Sequence, residues 1–344
     1  GGLVCRRWAT EQLLHAKIAR ERTFWVGLRK GPPYGDGAAW ATEVMGEDSM
    51  EYFGWHSTDV KQDAAMVIRG GWDWSTMFLG TRPGFQLIMR HPNNNNLTAK
   101  DLLFWNLRNA AREAVSAGGQ PCVPFESLVP MSFLADDPQD CRRLNNLMRK
   151  SPGQQWVRKV ADLHVGQGIT PLTAVQAGDC SALQRRGPYQ RASKIVYQKR
   201  MEPFQVSGRP TSIRAYVLIA SLEPPVFLFN HHAGHMYIAG QSITQSDKAW
   251  YTQHHTFDAW TFEQFNAYMA TEHKRPDFFW THTLPGMKDA VLAGLKAARD
   301  SFTTAPKPSA PPGSAGPRVW DTDHELGSLG RWDIWCIDFM YDVK

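Results

Sequence analysis

The stretch from Ile213 to Phe229 constrains this chain more than any other. Ile213-Arg214-Ala215-Tyr216-Val217-Leu218-Ile219-Ala220 is rich in β-branched and aromatic residues and predicts a strand. Val226-Phe227-Leu228-Phe229 follows across the turn signal Glu223-Pro224-Pro225, so the two runs predict an antiparallel pair. A hairpin alone is marginal in water, so it requires further strands. Candidates are Trp156–Val160, Ile195–Gln198 and Ile334–Asp342. Short strands are also expected between 46 and 90, in MVIRGGWDW and GFQLIMR.

Helices are expected between these strands. Residues 11–28 (EQLLHAKIARERTFWVGL) carry apolar positions near helical spacing, up to the break at Gly31-Pro32-Pro33-Tyr34-Gly35. A helix should follow the polar loop His91–Asn96. Thr98 would be its N-cap, Asp101 would lie in its first turn, and Gly118-Gly119 would end it. Further helices fit 136–150, 261–272 and 285–302, while 304–318 is a Pro/Gly/Ser/Ala loop. The mixture implies an α/β fold, and no internal repeat is present.

With 344 residues, 42% hydrophobic and 21% charged, the composition is globular and has room for one large or two ordinary domains. No apolar run is long enough to span a bilayer, so no membrane partner is expected. A net charge of +5 would help docking on an acidic surface. It is not the dense footprint of a nucleic-acid binder, and no nucleic-acid partner is expected. The five cysteines are scattered and form no C-x-x-C, which argues against a disulfide framework or a zinc site and for a reducing compartment. Fourteen tryptophans indicate a bulky core or large contact surfaces. The start, Gly1-Gly2-Leu3, lacks an initiator Met and a signal region, so the chain reads as a fragment or a processed product.

Lys159 ends a strand and is followed by Asp162-Leu163-His164-Val165-Gly166-Gln167-Gly168-Ile169. A lysine beside a loop with two glycines can close over phosphates, because glycine lets backbone N–H groups approach an anion that the ammonium neutralises. By itself the pattern is weak and is better read as an ordinary turn. Other clusters have bland readings. His231 and His235 share a strand face but have no third ligand at a metal spacing. Asn96-Leu97-Thr98 is a formal glycosylation acceptor read here as the helix cap. Arg185-Arg186 and Lys199-Arg200 read as solvated basic pairs.

Order along the chain adds to the Lys159 loop. Gln198-Lys199-Arg200-Met201-Glu202-Pro203 comes next, then Gly208-Arg209-Pro210-Thr211-Ser212-Ile213-Arg214-Ala215-Tyr216-Val217-Leu218, and finally Cys336-Ile337-Asp338-Phe339-Met340-Tyr341-Asp342. Upstream lie His91-Pro92, Leu97-Thr98-Ala99-Lys100-Asp101-Leu102, Asn106-Leu107 and Pro130-Met131-Ser132-Phe133-Leu134. From about residue 86 onward this series resembles the tubulin tyrosine ligase-like family, whose members join amino acids to proteins on an ATP-grasp fold.

The resemblance implies an ATP-grasp-like α/β fold. An N-terminal α/β lobe would span 1–125, a central lobe 126–205 and a C-terminal lobe 206–344, with nucleotide between the last two. It implies ATP and Mg²⁺ as cofactors. Lys159 would contact phosphate, and Gly166 and Gly168 would belong to the covering loop. Gln198 and Lys199 would sit in the hinge against adenine. Arg214 would face the phosphates or the incoming amino acid, and Asp338 would be a Mg²⁺ ligand. The activity implied is ATP-dependent addition of glutamate, tyrosine or glycine to tubulin or another acidic protein. Microtubules and acidic C-terminal tails would be the partners, in the cytoplasm, at the cytoskeleton or in a cilium.

The chain also departs from the family pattern. A family Lys and Asp fall on Pro210 and Ser212, and a family Arg falls on Tyr237. The family's E-x-N metal pair would follow the Asp338 strand, past Lys344. Losing one preorganised charge from such a site costs on the order of 10²–10³ in rate. The expectation is therefore a weakly active ligase or a pseudoenzyme, with a fully active polyglutamylase-type ligase as the alternative.

Overall fold

The computed structural model describes residues 20–27, 50, 52, 54–58, 60, 62–69, 86–89, 95–119, 123–135, 137–161, 168–172, 195–222, 225–240, 257–303 and 331–340. The first strands are β1 (Thr23–Gly27), β2 (His56–Ser57), β3 (Met66–Arg69) and β4 (Leu87–Met89). Next come α1 (Asn95–Thr98), α2 (Lys100–Ser116), α3 (Phe125–Leu128), β5 (Ser132–Leu134) and α4 (Pro138–Lys150). The middle holds β6 (Trp156–Val160), β7 (Ile169–Leu172), β8 (Ile195–Lys199), β9 (Gln205–Val206), β10 (Arg209–Leu222) and β11 (Pro225–Ala239). The rest is β12 (Phe257–Trp260), α5 (Phe262–Glu272), a π-helical turn (Phe279–Thr283), α6 (Leu284–Thr303) and β13 (Arg331–Phe339). The architecture is the mixed α/β one expected.

The chain forms two compact units, one of residues 1–92, 217–228 and 307–335, the other of 93–216, 229–306 and 336–344. In the first unit β1 pairs in parallel with β2 and β3, β3 with β4, and β4 with the start of β13. Parallel strands need cover, and Phe24, Met50, Ile68, Met89 and Trp332 form a core beside them. A strand at Thr23–Gly27 replaces the C-terminal part of the helix expected over 11–28; residues 20–21 are helical, and 11–19 lie outside the described residues. Its Thr-Phe-Trp-Val sequence favours a pleated strand, and the turn before it places Arg22 at φ 42.

The second unit holds two sheets. In one, the N-terminal half of β10 pairs with β9 and the C-terminal half of β11 with β12. The buried positions of β10 alternate, with Thr211, Ile213 and Ala215 inside. Ile213 and Ala215 meet Met236, Ile238, Phe262, Phe265 and Phe279 in one hydrophobic core. Gly234 lets Phe262 into that core: a Cβ there would lie 2.4 Å from its ring. Phe262 and Phe279 stack at 4.1 Å, and the Asn266 side chain accepts from the Phe279 N–H at 3.1 Å. These contacts hold the π-helical turn that leads into α6, an element the sequence periodicity does not announce. Thr261 caps α5 with a full capping box.

The other sheet is antiparallel, in the order β5-β8-β6-β7. One face packs Phe133, Trp156 and Tyr197 against Cys141 and Leu144 of α4. The other carries Leu134 and Val196 against Phe104 of α2. Helix α2 begins at Lys100 with Ala99 as its N-cap, so Thr98 is not the cap; it closes the short helix α1 instead. Gly118, at φ 74, ends α2 as expected, and the Gly119 N–H reaches Ala114 O at 2.9 Å. Cys141 is disulfide-bonded. Cys336 is free.

Candidate functional site

Strand alternation decides which side chains of the central sheet can act together. Val157 pairs with Gln198, Gln198 with Ser132, and Lys159 with Val196, so all five share one face. Lys159 Nζ donates to Gln198 Oε1 at 2.5 Å, and Gln198 Nε2 donates to Ser132 Oγ at 2.9 Å. At the start of α2, Lys100 Nζ donates to the carbonyls of Val160 and Ala161, each at 3.3 Å. Two ammonium groups are thereby gathered where β6 ends. Burial, and then the charge of Lys100, push the Lys159 pKa down to about 8. A polyanion in this position would relieve both effects.

Lys199 is expected beside Gln198, but successive strand residues face opposite ways. Lys199 pairs with Trp156 on the face turned to α4, and its N–H is bonded to Met131 O at 2.8 Å. Gly168 has φ 70, a conformation that suits glycine, and its carbonyl accepts from the Val160 N–H at 3.1 Å. Gly166 lies outside the described residues.

A second group lies on the half-exposed face of β10. Pro210, Ser212 and Arg214 alternate there with the buried Thr211, Ile213 and Ala215. Both oxygens of Asp338 are engaged by Arg214: Nε donates to Oδ1 at 2.8 Å and Nη2 to Oδ2 at 3.0 Å. The same guanidinium lies 5.1 Å from the Tyr237 ring centroid, and His235 stacks on Tyr237. The bond to Asp338 raises the Arg214 pKa above its already high value. Neighbouring Cys336 is pushed up to about 11 by burial and by Asp338.

The structure thus joins Lys159 to Gln198 and Arg214 to Asp338. It adds Lys100 and Ser132, which sequence reading passed over. Lys100 carried a signal, a lysine opening a helix that the family pattern also contains. Ser132 carried none, since its role rests on a cross-strand register. The donor set suits phosphate better than a divalent ion. Among the described residues no three His, Cys, Asp or Glu side chains gather, and both oxygens of Asp338 are engaged by Arg214.

No protein-family model matches the chain. Curated relatives do. The mouse protein polyglycylase TTLL10 is 24% identical over 219 residues, covering 55% of this chain and 30% of that protein. The rat protein of the same name is 26% identical over 168 residues, with coverage of 44% and 24%. A probable alpha-tubulin polyglutamylase, Ttll1 of Tetrahymena thermophila, is 24% identical over 157 residues, with coverage of 42% and 38%. The chain therefore spans between about a quarter and two fifths of the length of these relatives. Among solved structures, the C-terminal domain of K. lactis Pby1 matches with a TM-score of 0.47 at 11% identity, over 93% of this chain and 82% of its own. That domain is described as an ATP-grasp enzyme interacting with the mRNA decapping enzyme Dcp2. The sequence matches agree with the resemblance. Over part of its length the chain is distantly similar in sequence to tubulin tyrosine ligase-like proteins.

Proposed function

We propose that this chain binds ATP on the Lys159 face of its central sheet, as a tubulin tyrosine ligase-like domain whose ligase activity is weak or absent. The observation that carries the reading is the placement of Lys159 beside Lys100. Two partly buried ammonium groups held together repel each other, and a triphosphate supplies the missing counter-charge. Gln198 fixes Lys159, and the Gly168 turn follows directly.

Weak activity is supported by the other group. Phosphorylating a carboxylate and passing it to an amine needs cations and Mg²⁺ on the departing phosphate. Here Pro210 and Ser212 stand where the family has Lys and Asp, on the same strand face as Arg214. Arg214 itself is closed by Asp338. Mg²⁺, when present, would supply charge neutralisation to bound ATP. The second reading, a fully active polyglutamylase-type ligase, is favoured by the retained Lys159, Gln198, Arg214 and Asp338.

The names of the relatives support glycine or glutamate as the added residue and tubulin as an acceptor; the proposal extends to another acidic protein as acceptor and to the cytoplasm, the cytoskeleton or a cilium as its place of work. No helix among the described residues is long and apolar enough to cross a membrane. Calorimetry with ATP, with and without Mg²⁺, tests the reading. Micromolar binding that Lys159→Ala weakens at least tenfold is expected. Unchanged affinity in that variant, or no binding at millimolar ATP, overturns the site. Incorporation of labelled glycine or glutamate into tubulin then separates the two readings. Turnover typical of an active ligase would refute weak activity.

A further inference from the structure

We propose that Ser132 is a positioning residue for Lys159, acting through Gln198 by fixing which end of that amide faces the ammonium. The chain of bonds runs one way. Lys159 Nζ donates to Gln198 Oε1 at 2.5 Å, Gln198 Nε2 donates to Ser132 Oγ at 2.9 Å, and Ser132 Oγ donates to Pro130 O at 2.7 Å. An ammonium has donors only, so it requires the oxygen end of the amide. A flipped amide would turn its NH₂ group toward Lys159 and its oxygen toward Ser132. Ser132 would then have to donate to that oxygen, but it has one proton, and the Pro130 carbonyl holds it. Ser132 is 7% exposed and sits directly across the β5–β8 ladder from Gln198, so water does not readily replace it. The hydroxyl therefore selects one amide orientation, and that orientation aims an acceptor at Lys159.

This inference rests on the nucleotide reading only for its consequence, that Lys159 is held ready for phosphate. The test reads Lys159 directly. The protein is exposed to trace acetic anhydride across pH 6.5–10, as a general alkaline range for amines, and modification of Lys159 is followed by peptide mass spectrometry. In the wild-type protein the midpoint should fall near pH 8. Ser132→Ala and Ser132→Val should move it down by about half a pH unit or more, because the charged amine loses an acceptor worth about 1 kcal/mol. Ser132→Thr, which matches Val in shape and keeps the hydroxyl, should leave it unchanged. A merely structural serine would not separate Thr from Val in this way.

ATP affinity, measured on the same proteins, should fall about fivefold in the Ala and Val variants and not in Thr. Unshifted midpoints in folded Ala or Val variants overturn the proposal, as does a Thr variant that behaves like Val. If the midpoints shift as expected while neither these variants nor Lys159→Ala alters ATP affinity, the positioning role stands and the nucleotide reading falls.

Discussion

Replacing Lys159 with Met should make the nucleotide-free protein more stable at neutral pH, and the gain should vanish in alkali. Methionine keeps a long apolar stem and removes the charge. Burial, with Lys100 nearby, lowers the Lys159 pKa from 10.5 to about 8. At about 1.4 kcal/mol per pH unit, keeping the proton in the folded state costs about 3 kcal/mol at pH 7. Residual solvent contact at Lys159 screens part of this. Losing the bond to Gln198 gives back about 1 kcal/mol. The expected gain is therefore about 2 kcal/mol.

The pH dependence follows from proton counting. Below pH 8 both folded and unfolded chains hold the proton, so the cost is constant. Between 8 and 10.5 the unfolded chain holds a proton that the folded one has released, so wild-type stability rises with pH across that window. The advantage of Lys159→Met should be largest below pH 8 and gone by pH 10.5. Urea unfolding followed by tryptophan fluorescence, on both proteins at neutral and alkaline pH, measures it. A variant no more stable than wild type at pH 7, or a difference that does not change with pH, would refute the account of Lys159 as a strained cation.

Four further outcomes are expected. ATP binding should take up a fraction of a proton near pH 8, because the phosphates restore the Lys159 charge; calorimetry in buffers of different ionisation enthalpy would show it, and zero uptake would count against direct contact. Gly234→Ala should lower the midpoint of thermal unfolding, at a cost of about 2 kcal/mol, since its Cβ would meet the Phe262 ring at 2.4 Å and the Arg214 carbonyl at 2.9 Å. Arg108→Ala should cost about 3–5 kcal/mol in denaturant, because it strands the buried Asp140 carboxylate that now receives Arg108 at 2.5 Å. Asp338→Asn should cost no more than about 1 kcal/mol in the same assay, its side chain being 57% exposed.

What the sequence disclosed follows from which interactions are local. The long strands were legible because β10 alternates with period two, and α5 because Thr261 and Gln264 form a capping box. The strand at Thr23–Gly27 was hidden behind apolar spacing that also fits a helix; parallel pairing with Met66–Arg69 decides it. Thr98 had the chemistry of a cap, but the helix restarts at Lys100 and leaves it one residue short. At the candidate site, Lys159 and Gln198 could be named from motif order. That they touch could not, because the contact depends on β6 and β8 being neighbours in one register. Nor could the bond between Arg214 and Asp338, which joins residues 124 apart.

The pairing of β13 with β4 also bears on how the chain is made. Trp332 closes the core around Phe24 and Met89, yet it arrives last among the described elements. A ribosome would release β1 to β4 long before their neighbour, leaving Leu87–Met89 as an unpaired parallel edge while the second unit can already assemble its own cores. Such late, non-local closure slows folding and prolongs exposure of sticky strands. Biosynthesis of this chain should therefore lean on chaperones during the interval before residue 331, and premature termination within that interval should yield insoluble product rather than a smaller working domain.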